Sequence, residues 1–165
     1  MMLGLSLSAV TTLHVVISLV GIVTGLIVLS GLFKSQSMPG MTAIFLITTI
    51  LTNVTGFMFP FEKLLPSHII AILSLILLAI ACIALYSMKL SGAWRSIYVI
   101  TAITSLYLNI FVLVIQSFLK IGFLHALAPS VPPSEPPFAI VQGVVLVLFV
   151  IAGIAAVRRY RPALS

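Results

Sequence analysis

Three histidines and four amides carry most of the polar chemistry open to this chain. His14, His68, His125, Asn53, Asn109, Gln116 and Gln142 all lie within or beside long apolar runs. An ionisable ring inside such a run marks a functional site by default, and a buried amide needs hydrogen-bond partners because hydrocarbon supplies none. The candidate ligand-binding residues are therefore His14, Asn53, Asn109, Gln116 and Gln142. A quinone-like or other small apolar ligand needs a lined pocket with a few polar contacts, which this set offers. A haem would take His14 and a second histidine as axial ligands. A metal ion would take His14, His68 and His125, joined by Glu62 or Glu135. The metal pattern lacks any close i, i+3 or i, i+4 pair of ligands. Catalysis has the least support, since the apolar runs hold no carboxylate pair and no Ser–Lys or Ser–His spacing or phosphate loop stands out.

Each of these residues also has a plainer reading. Asn, Gln, Ser and Thr in membrane helices serve as hydrogen-bonding glue, worth about 0.6–2 kcal/mol per contact. A neutral imidazole bonded to a neighbouring helix would account for His14 just as well. Cys82 is the single cysteine, so no intrachain disulfide exists, and its place in an apolar run fits a small packed hydrophobe.

The elements that must position these groups are membrane spans. Of the 165 residues, 62% are hydrophobic and 6% charged, with no aspartate and only Glu62 and Glu135 as acids. A soluble domain carries about 25% charged residues. The fold class is therefore all-α, an integral membrane bundle with the lipid bilayer as its first partner. The net charge of +6 comes from basic residues scattered singly between apolar runs, which makes no patch for nucleic acid. The first apolar run has no basic leader and is too long for a signal core, so it reads as a span. Five spans are predicted, at about 9–33, 41–59, 68–88, 94–119 and 138–157. The first starts near Thr11 and Thr12, Pro39-Gly40 marks a turn before the second, and Ser67 is a candidate cap for the third. A stiff, proline-rich outer loop covers 122–137, and the whole chain is read as one transmembrane domain.

Basic residues predict the orientation. With the N-terminus outside and the C-terminus cytoplasmic, Lys34, Lys89, Arg95, Arg158, Arg159 and Arg161 fall inside, and only Lys63 and Lys120 outside. Trp94 and Tyr98 then serve as aromatic anchors at the inner interface. All three histidines fall toward the outer side, with Asn53, Gln116 and Gln142 in the outer half and Asn109 near mid-depth.

Helical phase narrows the picture further. On the fourth span Thr101, Ser105, Asn109, Gln116 and Lys120 form one stripe, and on the first Gly21-x-x-x-Gly25 lets another helix approach closely. Thr49, Asn53 and Gly56 share a face of the second span. The expected pocket lies in the outer half, walled by spans one, two, four and five. The third span, poorest in polar groups, is expected to face lipid or a second subunit.

The segments GAWRSIYVITAITSLYLNIFVLVIQSFLK, HALAP, SEPPFAIVQGVVLVLF and TGFMFPF, with the run from His14 to Gly31, resemble small bacterial multi-pass membrane proteins without an assigned activity. The resemblance implies a bacterial inner-membrane location and brings no cofactor or catalytic residue. Three roles stay open: a pocket binding a cofactor, metal ion or small apolar ligand, an accessory or assembly subunit of a larger membrane complex, and a small transporter acting as a homo-oligomer.

Overall fold

A computed structural model describes residues 6–57, 66–130 and 133–161. The turn around Pro60, Glu62 and Lys63 lies outside the described residues, as does Pro132. Six helices follow one another: α1 (Leu7–Phe33), α2 (Pro39–Gly56), α3 (Pro66–Cys82), α4 (Trp94–Lys120), α5 (Gly122–Leu127) and α6 (Pro136–Arg159). No strand occurs among the described residues. Counting the π-helical turn Ile83–Ser87 that prolongs α3, five helices are long and apolar enough to cross a bilayer. The chain has the build of a multi-pass membrane protein.

The ends of these helices follow from local chemistry. Ser6 accepts a hydrogen bond from the Ala9 N–H at 3.1 Å, so α1 begins before Thr11 and Thr12 with a side-chain cap. It stops where Ser35 turns to φ 53°, while the Gln36 and Ser35 N–H groups bond back to the Gly31 and Leu32 carbonyls. Pro39 and Gly40 do not form the expected turn. They open α2, because a helix's first residues need no N–H donor and proline's fixed φ suits that position. Pro136 and Pro137 start α6 in the same way. The described part of α3 already contains Pro66 and Ser67, which places Ser67 inside the helix. The loop predicted at 122–137 is not extended throughout, since its first six residues are α5.

Between α3 and α4 the chain reverses through Lys89 and Leu90, both left-handed at φ 50° and 61°. A left-handed non-glycine residue costs about 1–2 kcal/mol. Leu90 is only 7% exposed, and burying a leucine side chain returns about 1.5–3 kcal/mol. With two such residues costing about 2–4 kcal/mol together, burial of Leu90 offsets much of the strain of the turn.

The helices α1 with α2, α2 with α3, α3 with α4 and α4 with α1 pack as neighbours in a ring. Outside it, α6 lies against α4 and, less, α1. Of the five spans, α6 buries the smallest share and carries the broadest exposed apolar surface, including Ile140, Leu148 and Ile151. This corrects the expectation for the third span. Although poor in polar groups, α3 brings Leu78, Ala81 and Ser74 into the interior, and its small side chains let it pack on its neighbours.

The core concentrates at the end of the bundle marked by Arg95. There Phe45, Leu78, Ala102 and Leu106 are almost fully buried, and a side-chain carbon placed on Gly25 would come within 2.9 Å of Phe45 and 2.6 Å of Leu106. Tyr98 is 1% exposed and belongs to this core, beside Tyr160, so it is not the interface anchor its position suggested. Arg95 Nη1 donates to the carbonyls of Val157 and Tyr160, each at 2.8 Å, closing the end of α6. The Arg161 N–H donates to Ser35 Oγ at 2.7 Å, which sets the ends of α6 and α1 side by side. The beginning of α1 and the end of α6 thus lie at opposite ends of the bundle.

Candidate functional site

At the other end, marked by Lys120, the four ring helices part around a cavity of about 530 Å³. That volume falls within the range of about 300–1,000 Å³ typical of small-molecule sites. The cavity runs along α4 from Lys120 and Ile121 down to Leu108, about 18 Å at the helical rise of 1.5 Å per residue. Its deep end is mostly apolar, built by Ile22, Leu108 and Val112 around the amide of Asn109, and its mouth gathers His14, His68, Gln116 and Lys120.

His14 projects from α1 toward α2, its Nδ1 lying 2.7 Å from Thr55 Oγ1. The Thr55 hydroxyl lies 2.7 Å from the Leu51 carbonyl and has a single proton to give there. With that proton on the Leu51 carbonyl, Thr55 accepts from a His14 Nδ1–H, the tautomer that leaves Nε2 as the acceptor nitrogen of the ring. On α2, Asn53 Nδ2 donates to the Thr49 carbonyl at 2.8 Å and to Ser74 Oγ on α3 at 3.2 Å. These bonds tie α2 to α3 beneath the mouth.

Asn109 lies deeper, beside Gly21. Its Nδ2 and the Thr49 hydroxyl are buried with no hydrogen-bond partner among the described residues. A side-chain carbon on Gly21 would meet Thr49 Oγ1 at 3.1 Å, Thr48 Oγ1 at 3.2 Å and Asn109 Nδ2 at 3.6 Å. The glycine thus keeps open a small polar niche near the deep part of the cavity. Gln116 and Lys120 continue the Asn109 face of α4 up to the mouth, while Thr101 and Ser105 on the same stripe are buried in the core. Lys120, in the last turn of α4, is the one formally charged group lining the cavity among the described residues.

The structure therefore gathers His14, Asn53, Asn109 and Gln116 but not Gln142. On α6, Gln142 donates from Nε2 to the Phe111 carbonyl at 3.1 Å, on a different face of α4 from the cavity. The reason is that α6 packs there through aromatic pairs, Phe138 on Phe118 at 5.4 Å and Phe149 on Tyr107 at 5.6 Å. The fourth wall comes from α3 instead, through His68, Ala71 and Ser74. Sequence reasoning passed over Ala71 and Ser74 as wall residues; their signal was the run His68, Ala71, Ser74 in steps of three, which places all three on one helical face.

The histidines divide in the same way. His68 is 6% exposed, stacks on Phe57 with ring centroids 5.6 Å apart, and lines the cavity. His125 sits on α5 with Nδ1 3.2 Å from the Phe118 carbonyl, away from the cavity lining. Among the described residues no three His, Cys, Asp or Glu side chains converge as a metal site would require, and Glu62 lies outside them. The three-histidine metal centre is therefore not assembled. Glu135 is engaged elsewhere: its carboxylate accepts from the Ser130 hydroxyl and from the Ser130 and Ser134 N–H groups. The Ser130 hydroxyl, with these N–H groups, holds its carboxyl below the usual carboxylate range.

No family model, curated protein or solved structure matches the chain. The cavity and its lining are the basis for a functional reading.

Proposed function

We propose that this protein binds a small, largely apolar ligand with one polar end, taken up within the bilayer in the cavity between α1, α2, α3 and α4. The observation that carries this reading is the cavity's grading, with walls mostly apolar at depth, where Asn109 is the one amide, and His14, His68, Gln116 and Lys120 at the mouth. A ligand with the same grading would bury its body without stranding its polar group. The close packing of Phe45 and Leu106 on Gly25 fills the bundle beyond the cavity, which favours binding over passage. The reading further places the N-terminus and the Lys120 end on the outer side of a bacterial inner membrane, on the six-to-two distribution of basic residues.

Native mass spectrometry of the full chain, released from mild detergent, tests the proposal. The wild-type protein is expected to retain a small molecule at one per chain. An Ala71→Trp variant, which fills the cavity from α3, should lose it while keeping the wild-type thermal midpoint. A wild-type spectrum of bare protein, or equal retention by Ala71→Trp, would overturn the reading.

A further inference from the structure

The geometry points to a narrower ligand class: an amphiphile with one acyl chain and an anionic head, the head held by Lys120 and the chain lying along α4 toward Leu108 and Ile22. This inference rests on the binding role proposed above and adds the chemistry of the head. Lys120 lines the mouth and is exposed there, so its ammonium is presented to a bound molecule. No carboxylate lines the cavity among the described residues. Glu135, the one acidic residue among them, is already bonded by Ser130 and Ser134. A carboxylate or phosphate head would pair with the Lys120 ammonium directly, a charge-assisted contact that a neutral head does not make.

A lysine near the end of a span can simply extend its stem to the headgroup layer, and a cation in the last turn of a helix gains from the helix dipole. Those effects explain a lysine at the end of α4 but not its angular position. Lys120 stands on the same face as Gln116 and Asn109, four and eleven residues earlier, all three lining the cavity. Gln116 adds an amide able to donate to the same head just below the ammonium. Below Gln116 the wall is mostly apolar, with Val112, Leu108 and Ile22 beside the single amide of Asn109, and a chain would lie along it. Val15 and Leu19 on α1 line the same cavity and remain exposed, which gives the chain an apolar edge along which to enter from the bilayer.

Free fatty acids and anionic lysolipids share this chemistry, and the test separates them. Full-length protein in neutral detergent is titrated with palmitate, lysophosphatidylglycerol, lysophosphatidylcholine and hexadecanol, reading displacement of a fluorescent neutral alkyl probe from the cavity. Palmitate or lysophosphatidylglycerol should bind roughly tenfold or more tightly than hexadecanol, the scale of one charged hydrogen bond, and the better of the two identifies the source. Lysophosphatidylcholine, zwitterionic at its head, should fall with the alcohol. Lys120→Gln should abolish the preference and Lys120→Arg should keep it. Equal binding of hexadecanol and both anions, or a preference that survives in Lys120→Gln, would overturn the anionic head while leaving the binding role in place. If the probe itself bound Ala71→Trp as well as wild type, the binding role would fall, and this inference with it.

Discussion

At the scale of single residues, the contact between His14 and Thr55 shows how this chain handles polarity in hydrocarbon. The threonine hydroxyl gives its proton to its own helix and accepts one from a neighbouring helix, so one small side chain satisfies two groups. Replacing Thr55 by Val removes the acceptor and leaves an imidazole N–H in a half-buried site without it, a loss of about 1–3 kcal/mol. Thr49 offers the contrast, since its hydroxyl is buried without a partner among the described residues. Exchanging an unsatisfied hydroxyl for a methyl group is nearly neutral or favourable. Thermal unfolding in detergent should therefore rank Thr55→Val well below wild type and Thr49→Val level with it or above. A Thr49→Val variant as damaged as Thr55→Val would mean that its hydroxyl does have a partner. His14 was legible in the sequence because an ionisable side chain in an apolar run is rare. Thr55 was not, because which of several threonines faces it depends on the rotation of two helices, and α2 carries Thr48, Thr49, Thr52 and Thr55 around much of its surface.

At the scale of helices, close approach decides which spans become neighbours. The Gly21-x-x-x-Gly25 pair gives α1 a flat strip, and at Gly25 the Phe45 ring of α2 and Leu106 of α4 close directly on the backbone. Gly25→Ala must displace an aromatic ring held in the core, an overpacking cost of about 1–3 kcal/mol. Gly153 on α6 faces open space, with nothing near the position of an added methyl. The thermal midpoint of Gly25→Ala should drop by several degrees, and that of Gly153→Ala should hold or rise slightly. Equal midpoints would mean that the α1 strip is not a packing surface. The spans themselves were legible because length and hydropathy suffice to mark them. The walls of the cavity were legible only in part. Both α3 and α6 read as almost uniformly apolar, so nothing in their amphipathicity assigns one to the ring and the other to its outside. What separates them is fine shape: Ala81 and Ala84 let the α3 segment pack into the core, while α6 meets α4 through Phe138 and Phe149 and stays peripheral. Gln142 was assigned to the cavity because depth was readable and rotation was not.

At the scale of the whole molecule, the bundle is asymmetric from end to end. The Arg95 end is packed and bears most of the cationic side chains, and the Lys120 end is hollow. Lys34, Lys89, Arg95, Arg158, Arg159 and Arg161 gather at the packed end, and basic residues flanking spans are retained on the cytoplasmic side during insertion. Orientation is a relation between the chain and a bilayer with two different faces, so charge counting bears on it and packing does not. On the orientation proposed above, the cavity mouth opens toward the outer face, and a ligand would arrive from the outer leaflet or from beyond it. In a Cys82→Ala background, single cysteines at Ser134, beside the cavity end, and at Ser91, beside the packed end, read this directly, since both positions are exposed. A membrane-impermeant maleimide applied to intact cells should label Ser134→Cys and spare Ser91→Cys until the membrane is permeabilised. The reverse pattern would turn the molecule over and place the Lys120 mouth against the cytoplasm. Any anionic amphiphile would then be drawn from the inner leaflet, and the six basic residues would stand as a measured exception to the charge rule.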